Sequence, residues 1–191
     1  MQMVLTFVYS AMNAGKSTAL LQISHNYRER GMKTQLFIPS VIGVNRIVSR
    51  IGIESEAVSF TSADDMFDII NTLHNQTAID CVLIDEAQFM RQSQVHQIAH
   101  IVDTLHIPII CYGLRTDFRG VPFEGSITLL SIADVIHEIK TVCRCGENAT
   151  MTIRTQNGKV SSSGEQVLVG DNNMYESMCR MHWREALTRV N

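Results

Sequence analysis

No uncharged apolar run in the chain approaches the roughly 18 residues that a membrane-spanning helix requires, so the sequence offers nothing to cross a bilayer. The first residues, Met1-Gln2-Met3-Val4-Leu5-Thr6-Phe7, contain no basic stretch and no cleavage site. They read as a first strand rather than a signal peptide. Proline occurs only 3 times, and no Gly/Ser-rich or single-sign tract interrupts the sequence, which excludes disorder as the main state. A basic excess is also lacking: 16 Lys+Arg stand against 19 Asp+Glu, for a net charge of −3. That balance argues against a nucleic-acid backbone as partner. There are 5 cysteines, an odd number, and without a secretory signal they are expected to be reduced in a cytoplasmic protein. No internal repeat is present. What remains is an ordinary globular balance, 45% apolar and 18% charged over 191 residues. This suits one large domain, or one domain with a small appendage.

Short apolar runs alternate with helical periodicity. Met3–Tyr9, Thr34–Ile38, Ile79–Ile84 and Ile107–Tyr112 read as strands, the later ones apolar enough to be buried on both faces. Ser17–Arg30, Ala63–His74 (with Ser62 as N-cap) and Gln92–Leu105 read as helices. Strand and helix in alternation argue for a parallel α/β sheet. Val41–Glu56 has no clear period and is expected to be a loop, as is Arg115–Gly125, with its Gly120 and Pro122. Val135–Val142 is expected to be a last core strand. Beyond Cys143 the texture turns polar, with short β-like stretches at Thr150–Thr155 and Gln166–Val169 and a closing helix over Met178–Val190. The expected boundary separates an α/β domain, 1–140, from a small C-terminal domain, 141–191.

Ser10-Ala11-Met12-Asn13-Ala14-Gly15-Lys16-Ser17-Thr18 is close to the phosphate-loop pattern G-x-x-x-x-G-K-[ST], with Ser10 at the first glycine position. Read without a ligand it is a chance turn, but the strand before it and helix after it are the context the motif demands. In that setting backbone N–H groups and a helix N-terminus converge on one anion. Lys16 supplies a point charge to terminal phosphates, and Ser17, or Thr18 in a shifted register, can ligate magnesium. Asp85-Glu86 ends the apolar run Cys81–Ile84, where parallel sheets bind ligands. Asp85 is placed to hold magnesium, and Glu86 to take a proton from an attacking hydroxyl or water. Together these signals imply an NTP-using protein.

Cys143-Arg144-Cys145 and Cys179-Arg180-Met181-His182 form two close pairs of soft ligands. Such pairs build structural zinc sites, with all four positions filled by protein. Cys81 and Cys111 lie in apolar runs and read as core residues. His96 and His100, at i and i+4, have no carboxylate to complete a site and read as an exposed helix face. Phe89, Phe118, Phe123 and Tyr175 fall in loops after functional elements, where a flat heteroaromatic ring could be sandwiched. Met12 lies inside the phosphate loop itself.

At this point the chain resembles the type II thymidine kinases, the zinc-containing bacterial and cytosolic-animal kind. The resemblance rests on Ser10–Thr18, on Asp85-Glu86-Ala87-Gln88-Phe89, on Tyr112–Gly120, and on Cys143, Cys145, Cys179 and His182. It implies a RecA-like phosphate-loop core and a zinc-ribbon domain carrying a lasso over the substrate. It further implies transfer of the γ-phosphoryl of ATP, with Mg2+, to the 5′-hydroxyl of thymidine, with Glu86 as general base. The implied substrate contacts are Met12, Asp85, Gln88, Phe89, Phe118, Thr152, Leu168, Gly170 and Tyr175. A homotetramer inhibited by dTTP is implied as well. One stretch departs from the family. Where an Asp-x-Arg-like segment follows the second strand, this chain has a shorter Pro39-Ser40-Val41-Ile42-Gly43-Val44-Asn45-Arg46 without an Asp. Arg46 or Arg50 is the candidate for the missing positive charge. Two rivals stand beside the kinase: a phosphate-loop ATPase that couples hydrolysis to motion, and a zinc-ribbon binding module with a degenerate nucleotide site.

Overall fold

The computed structural model describes residues 3–156, 158–166 and 174–189. Strands β1 (Leu5–Ser10), β2 (Thr34–Pro39), β5 (Val58–Phe60), β6 (Cys81–Ile84), β7 (Ile109–Leu114) and β8 (Val135–Glu138) form one sheet in the order β5-β2-β6-β7-β1-β8. Every pairing in it is parallel. Side chains of a strand alternate between faces, and both faces are covered. Cys81 and Leu83 of β6 pack with Leu20 and Leu21 of helix α1 (Lys16–Glu29). Val82 and Ile84 point the other way, toward α2 (Met66–Gln76), α3 (Gln92–Leu105) and α4 (Glu124–Ile132). That is why β6 reads as a continuous apolar run, and why Cys81 and Cys111 are fully buried.

Because the strands are parallel, the carboxyl ends of β1, β6 and β7 lie on one edge of the sheet. The chain turns there into Ala11–Gly15, Asp85–Phe89 and Arg115–Gly120. A second, antiparallel sheet, β10-β9-β11, joins β9 (Met151–Gln156), β10 (Lys159–Val160) and β11 (Tyr175–Met178), and α5 (Arg180–Thr188) packs beneath it. Its own apolar cluster contains Cys143, Ala149, Ile153, Met178 and Cys179. Among the described residues no helix is long and apolar enough to cross a membrane.

Several expectations change. Val41–Glu56 is not a plain loop: after a 3-10 turn at Ser40–Ile42 it forms a hairpin of β3 (Arg46–Val48) and β4 (Glu54–Glu56). Ile47 alone is buried between exposed neighbours, too short an alternation to read, and the reversal depends on Gly52 at φ 83°. Val135–Glu138 is an exposed edge strand, not a core one, since β1 covers it on one side only. Helix α2 is capped by Asp65, whose carboxylate accepts the Asp68 N–H at 3.1 Å, rather than by Ser62. Helix α4 escapes a periodicity reading because its sequence, Glu-Gly-Ser-Ile-Thr-Leu-Leu-Ser-Ile, is apolar or small nearly all round. Gly125 is required there: a Cβ would sit 2.7 Å from the Met90 carbonyl oxygen and 2.8 Å from that of Ala87.

Candidate active site

The phosphate loop takes its shape from two left-handed residues, Asn13 (φ 63°) and Gly15 (φ 89°). Ser10 needs no glycine freedom, because it is simply the last residue of β1. Its hydroxyl donates to the Ala11 carbonyl (2.7 Å) and accepts from Lys16 Nζ (3.1 Å), which also donates to the Ala11 carbonyl (3.3 Å). Helix α1 begins at Lys16 with no side-chain cap and no acidic residue in its first turn. Its leading N–H groups therefore face the loop free for an anion.

Lys16 and Asp85 are both buried and strain against their charges. Burial pushes the Lys16 ammonium down, opposed by the nearby Glu86 and Asp85 carboxylates. Burial, reinforced by Glu86, pushes the Asp85 carboxyl up to about 7, although Ser17 and Lys16 pull it down. Ser17 Oγ donates to Asp85 Oδ2 at 2.7 Å, and the Glu86 N–H donates to Oδ1 at 3.0 Å. A site with an over-buried cation and an over-buried carboxylate gains most from a polyanion and a divalent cation arriving together.

Glu86 sits in the left-handed region, φ 51°, uncommon for a non-glycine residue and a mark of a position held by its surroundings. Gln88 is part of that hold. The Leu114 N–H donates to Gln88 Oε1 at 3.0 Å, which fixes the amide so that its Nε2 donates to Glu86 Oε2. Gly113 makes room for it: a Cβ there would lie 2.8 Å from Gln88 Oε1.

These groups open on one cavity of about 530 Å³, within the range that holds a small-molecule ligand. Of the expected residues, Met12 to Thr18, Asp85, Glu86, Gln88, Phe89, Phe118, Thr152 and Tyr175 all line it. Ser10 and Ala11 do not; they lie behind it as acceptors for Lys16. Leu168 and Gly170 fall outside the described residues. Phe123 also reaches the cavity, edge-on to Phe89 at 5.7 Å between ring centroids. The hairpin brings both Arg46 and Arg50 to its rim, and Arg46 pairs with Glu54 at 3.6 Å. The small sheet grips the phosphate loop: the Met12 N–H donates to Thr152 Oγ1 (3.3 Å), Asn13 Nδ2 to the Tyr175 carbonyl (3.3 Å), and Ser177 Oγ to the Met12 carbonyl. Nothing in the local sequence signals Ser177, because its role exists only once β11 is folded against the loop. His100, on the exposed face of α3, stacks on Phe67 at 5.1 Å between ring centroids.

Cys143, Cys145, Cys179 and His182 converge as expected, with their ligand atoms all within 4.8 Å of one another. Cys143 Sγ lies 3.2 Å from His182 Nδ1, Cys179 Sγ 3.5 Å from the same nitrogen, and Cys145 Sγ 3.9 Å from Cys179 Sγ. A tetrahedral zinc with bonds of about 2.3 Å to sulfur needs ligand separations of about 3.8 Å, so the set fits and could hold zinc. Burial opposes ionisation of Cys143, but the Cys179 and Cys145 N–H groups and His182 outweigh it and draw the thiol down to about 6. That favours the thiolate a metal requires.

The family model described as thymidine kinase matches residues 3–183. The chain is 51% identical over 187 residues to a thymidine kinase of Photobacterium profundum, covering 96% of this chain and 97% of that one. It is 52% identical over 185 residues to one of Shewanella oneidensis, covering 95% and 96%. It is 51% identical over 187 residues to one of Vibrio cholerae, covering 96% and 97%.

Proposed function

The chain belongs to the thymidine kinase family, and from that premise we propose that it transfers the γ-phosphoryl of ATP to the 5′-hydroxyl of thymidine, giving thymidine monophosphate and ADP. The protein is a phosphotransferase. The observation that carries the substrate assignment is the single cavity that joins an anion cradle to an aromatic wall. Lys16 and the uncapped start of α1 line it together with Phe89, Phe118 and Met12.

In this reading Lys16 and the loop N–H groups bind the β- and γ-phosphates. Ser17 and Asp85 would hold Mg2+, which when bound supplies charge neutralisation on the phosphates. The donated Ser17 hydrogen bond already holds the Asp85 carboxylate toward the loop. Glu86, oriented by Gln88, accepts the proton of the 5′-hydroxyl as that oxygen attacks. Gln88 thereby positions the base, a finer role than the substrate contact expected for it. Most of the acceleration comes from alignment and charge, with the base assisting. Phe89, Phe118 and Met12 enclose the thymine ring, and Thr152 and Tyr175 join the pocket to the small sheet. Arg46 and Arg50 supply positive charge at the rim where the family's Asp-x-Arg stretch is absent. The 141–191 segment is read as a zinc-ribbon domain in which Cys143, Cys145, Cys179 and His182 would hold a structural zinc. One cavity holding both base and phosphates would also accept dTTP as an end-product inhibitor. A cytoplasmic homotetramer completes the proposal.

The test is transfer of labelled γ-phosphate to a panel of nucleosides, with deoxyuridine and a lane without nucleoside included. Label on thymidine, and little on purine nucleosides or cytidine, is the expected result. Label released only as inorganic phosphate would make the protein an ATPase and overturn the substrate assignment.

A further inference from the structure

Phe118 is 2% exposed and lines the cavity, and two of the contacts that fix it come from outside its own loop. The Trp183 indole Nε1–H donates to the Phe118 carbonyl oxygen at 2.8 Å. The Arg154 guanidinium lies over the Phe118 ring, 3.8 Å from its centroid. Both contacts come from the small sheet and its helix.

Arg154 is 2% exposed and, among the described residues, forms no ion pair. Its Nη1 and Nη2 instead donate to the carbonyls of Glu165 (2.8 Å) and Ser163 (3.2 Å). A buried cation with no carboxylate is costly unless its faces and N–H groups are engaged; here the Phe118 face and two carbonyls engage it, while Nε has no hydrogen-bond partner among the described residues. Trp183 directly follows His182 and packs against the cluster that contains Cys143 and Cys179. On its other side the indole abuts Gly120, where a Cβ would lie 3.1 Å from the ring. The indole is thus seated between the Cys/His cluster and the loop carrying Phe118, and it does not itself line the cavity.

We infer that Trp183 and Arg154 are positioning residues for the nucleoside side of the cavity. The Cys/His cluster sets the seat of Trp183, and Trp183 with Arg154 sets where Phe118 stands. The inference rests on the thymidine kinase reading of the cavity. Trp183→Phe keeps a smaller aromatic ring and removes the N–H, so the KM for thymidine should rise by at least about fivefold, the worth of one net hydrogen bond. The KM for ATP and kcat should stay within about twofold. Arg154→Lys keeps the charge but loses the planar stack and the fork, and should raise the thymidine KM up to about thirtyfold, as for a desolvated cation–π contact. A general loss of structure would lower kcat and disturb both substrates instead. A second measurement needs no variant. Trp183 is the sole tryptophan, so wild-type emission reads this contact directly. Thymidine should change that emission although it does not touch the indole. A zinc chelator should shift the emission to the red and weaken thymidine binding. Wild-type thymidine KM values in both variants, or emission indifferent to thymidine and chelator, would overturn the inference while leaving the kinase intact. A wild-type protein that phosphorylates no thymidine would overturn the kinase reading itself.

Discussion

Asp85→Asn should make the nucleotide-free protein more stable, and increasingly so as pH rises. The carboxyl of Asp85 is raised from 3.8 to about 7 by its burial and by Glu86 beside it. A carboxyl that holds its proton more tightly folded than unfolded weakens the folded state with rising pH. There is no penalty below about pH 4, where it is protonated in both states. The penalty then grows until about pH 7, where the folded group ionises too, and is constant above. At about 1.36 kcal/mol per pH unit the full penalty is up to about 4 kcal/mol. The carboxamide keeps the shape. Its oxygen can accept the Glu86 N–H, and its amide can face the Ser17 hydroxyl that now donates to Oδ2. The assay is urea unfolding of wild type and variant in chelated, nucleotide-free buffer. The gap in favour of Asp85→Asn should widen by about 2–3 kcal/mol between pH 5 and pH 8. A gap independent of pH, or one that shrinks as pH rises, would refute the picture of Asp85 as an over-buried acid.

Two further outcomes follow from particular contacts. Gly113→Ala places a methyl 2.8 Å from Gln88 Oε1 and 3.1 Å from its backbone N. The displaced amide should release Glu86 and lower kcat by about tenfold with little change in ATP affinity, at a stability cost of about 1–3 kcal/mol; steady-state kinetics with a urea melt checks both. Cys145→Ser removes one of the converging ligands, so bound zinc measured by a colorimetric chelator should fall. The melting transition of the variant should also stop responding to added chelator, unlike that of the wild type.

Much of this site was legible from residue order because its parts are local. A phosphate loop is one strand end, one turn and one helix start, so Ser10–Thr18 carried its own context. The apolar run Cys81–Ile84 announced a strand buried on both faces, and therefore a crevice for Asp85 and Glu86. Paired soft ligands announced the Cys/His cluster. What was hidden depends on long-range packing. Ile47 is the single buried residue of β3, too little alternation to reveal a hairpin. Helix α4 is set by how closely Gly125 approaches the Ala87 and Met90 carbonyls, which no local pattern encodes. Val135–Glu138 is apolar enough for a core strand but lands at the sheet edge, because strand order is a property of the whole topology. Trp183 and Arg154 reach Phe118 across 65 and 36 positions of sequence, a contact that only the folded chain creates.

The most direct test of the account is phosphoryl transfer to thymidine by the wild type and Glu86→Gln side by side, with ATP and thymidine binding measured on both. The variant should bind both ligands as the wild type does and lose turnover by about 10²–10⁴-fold. Equal turnover in the two proteins would contradict the assignment of Glu86 as the base.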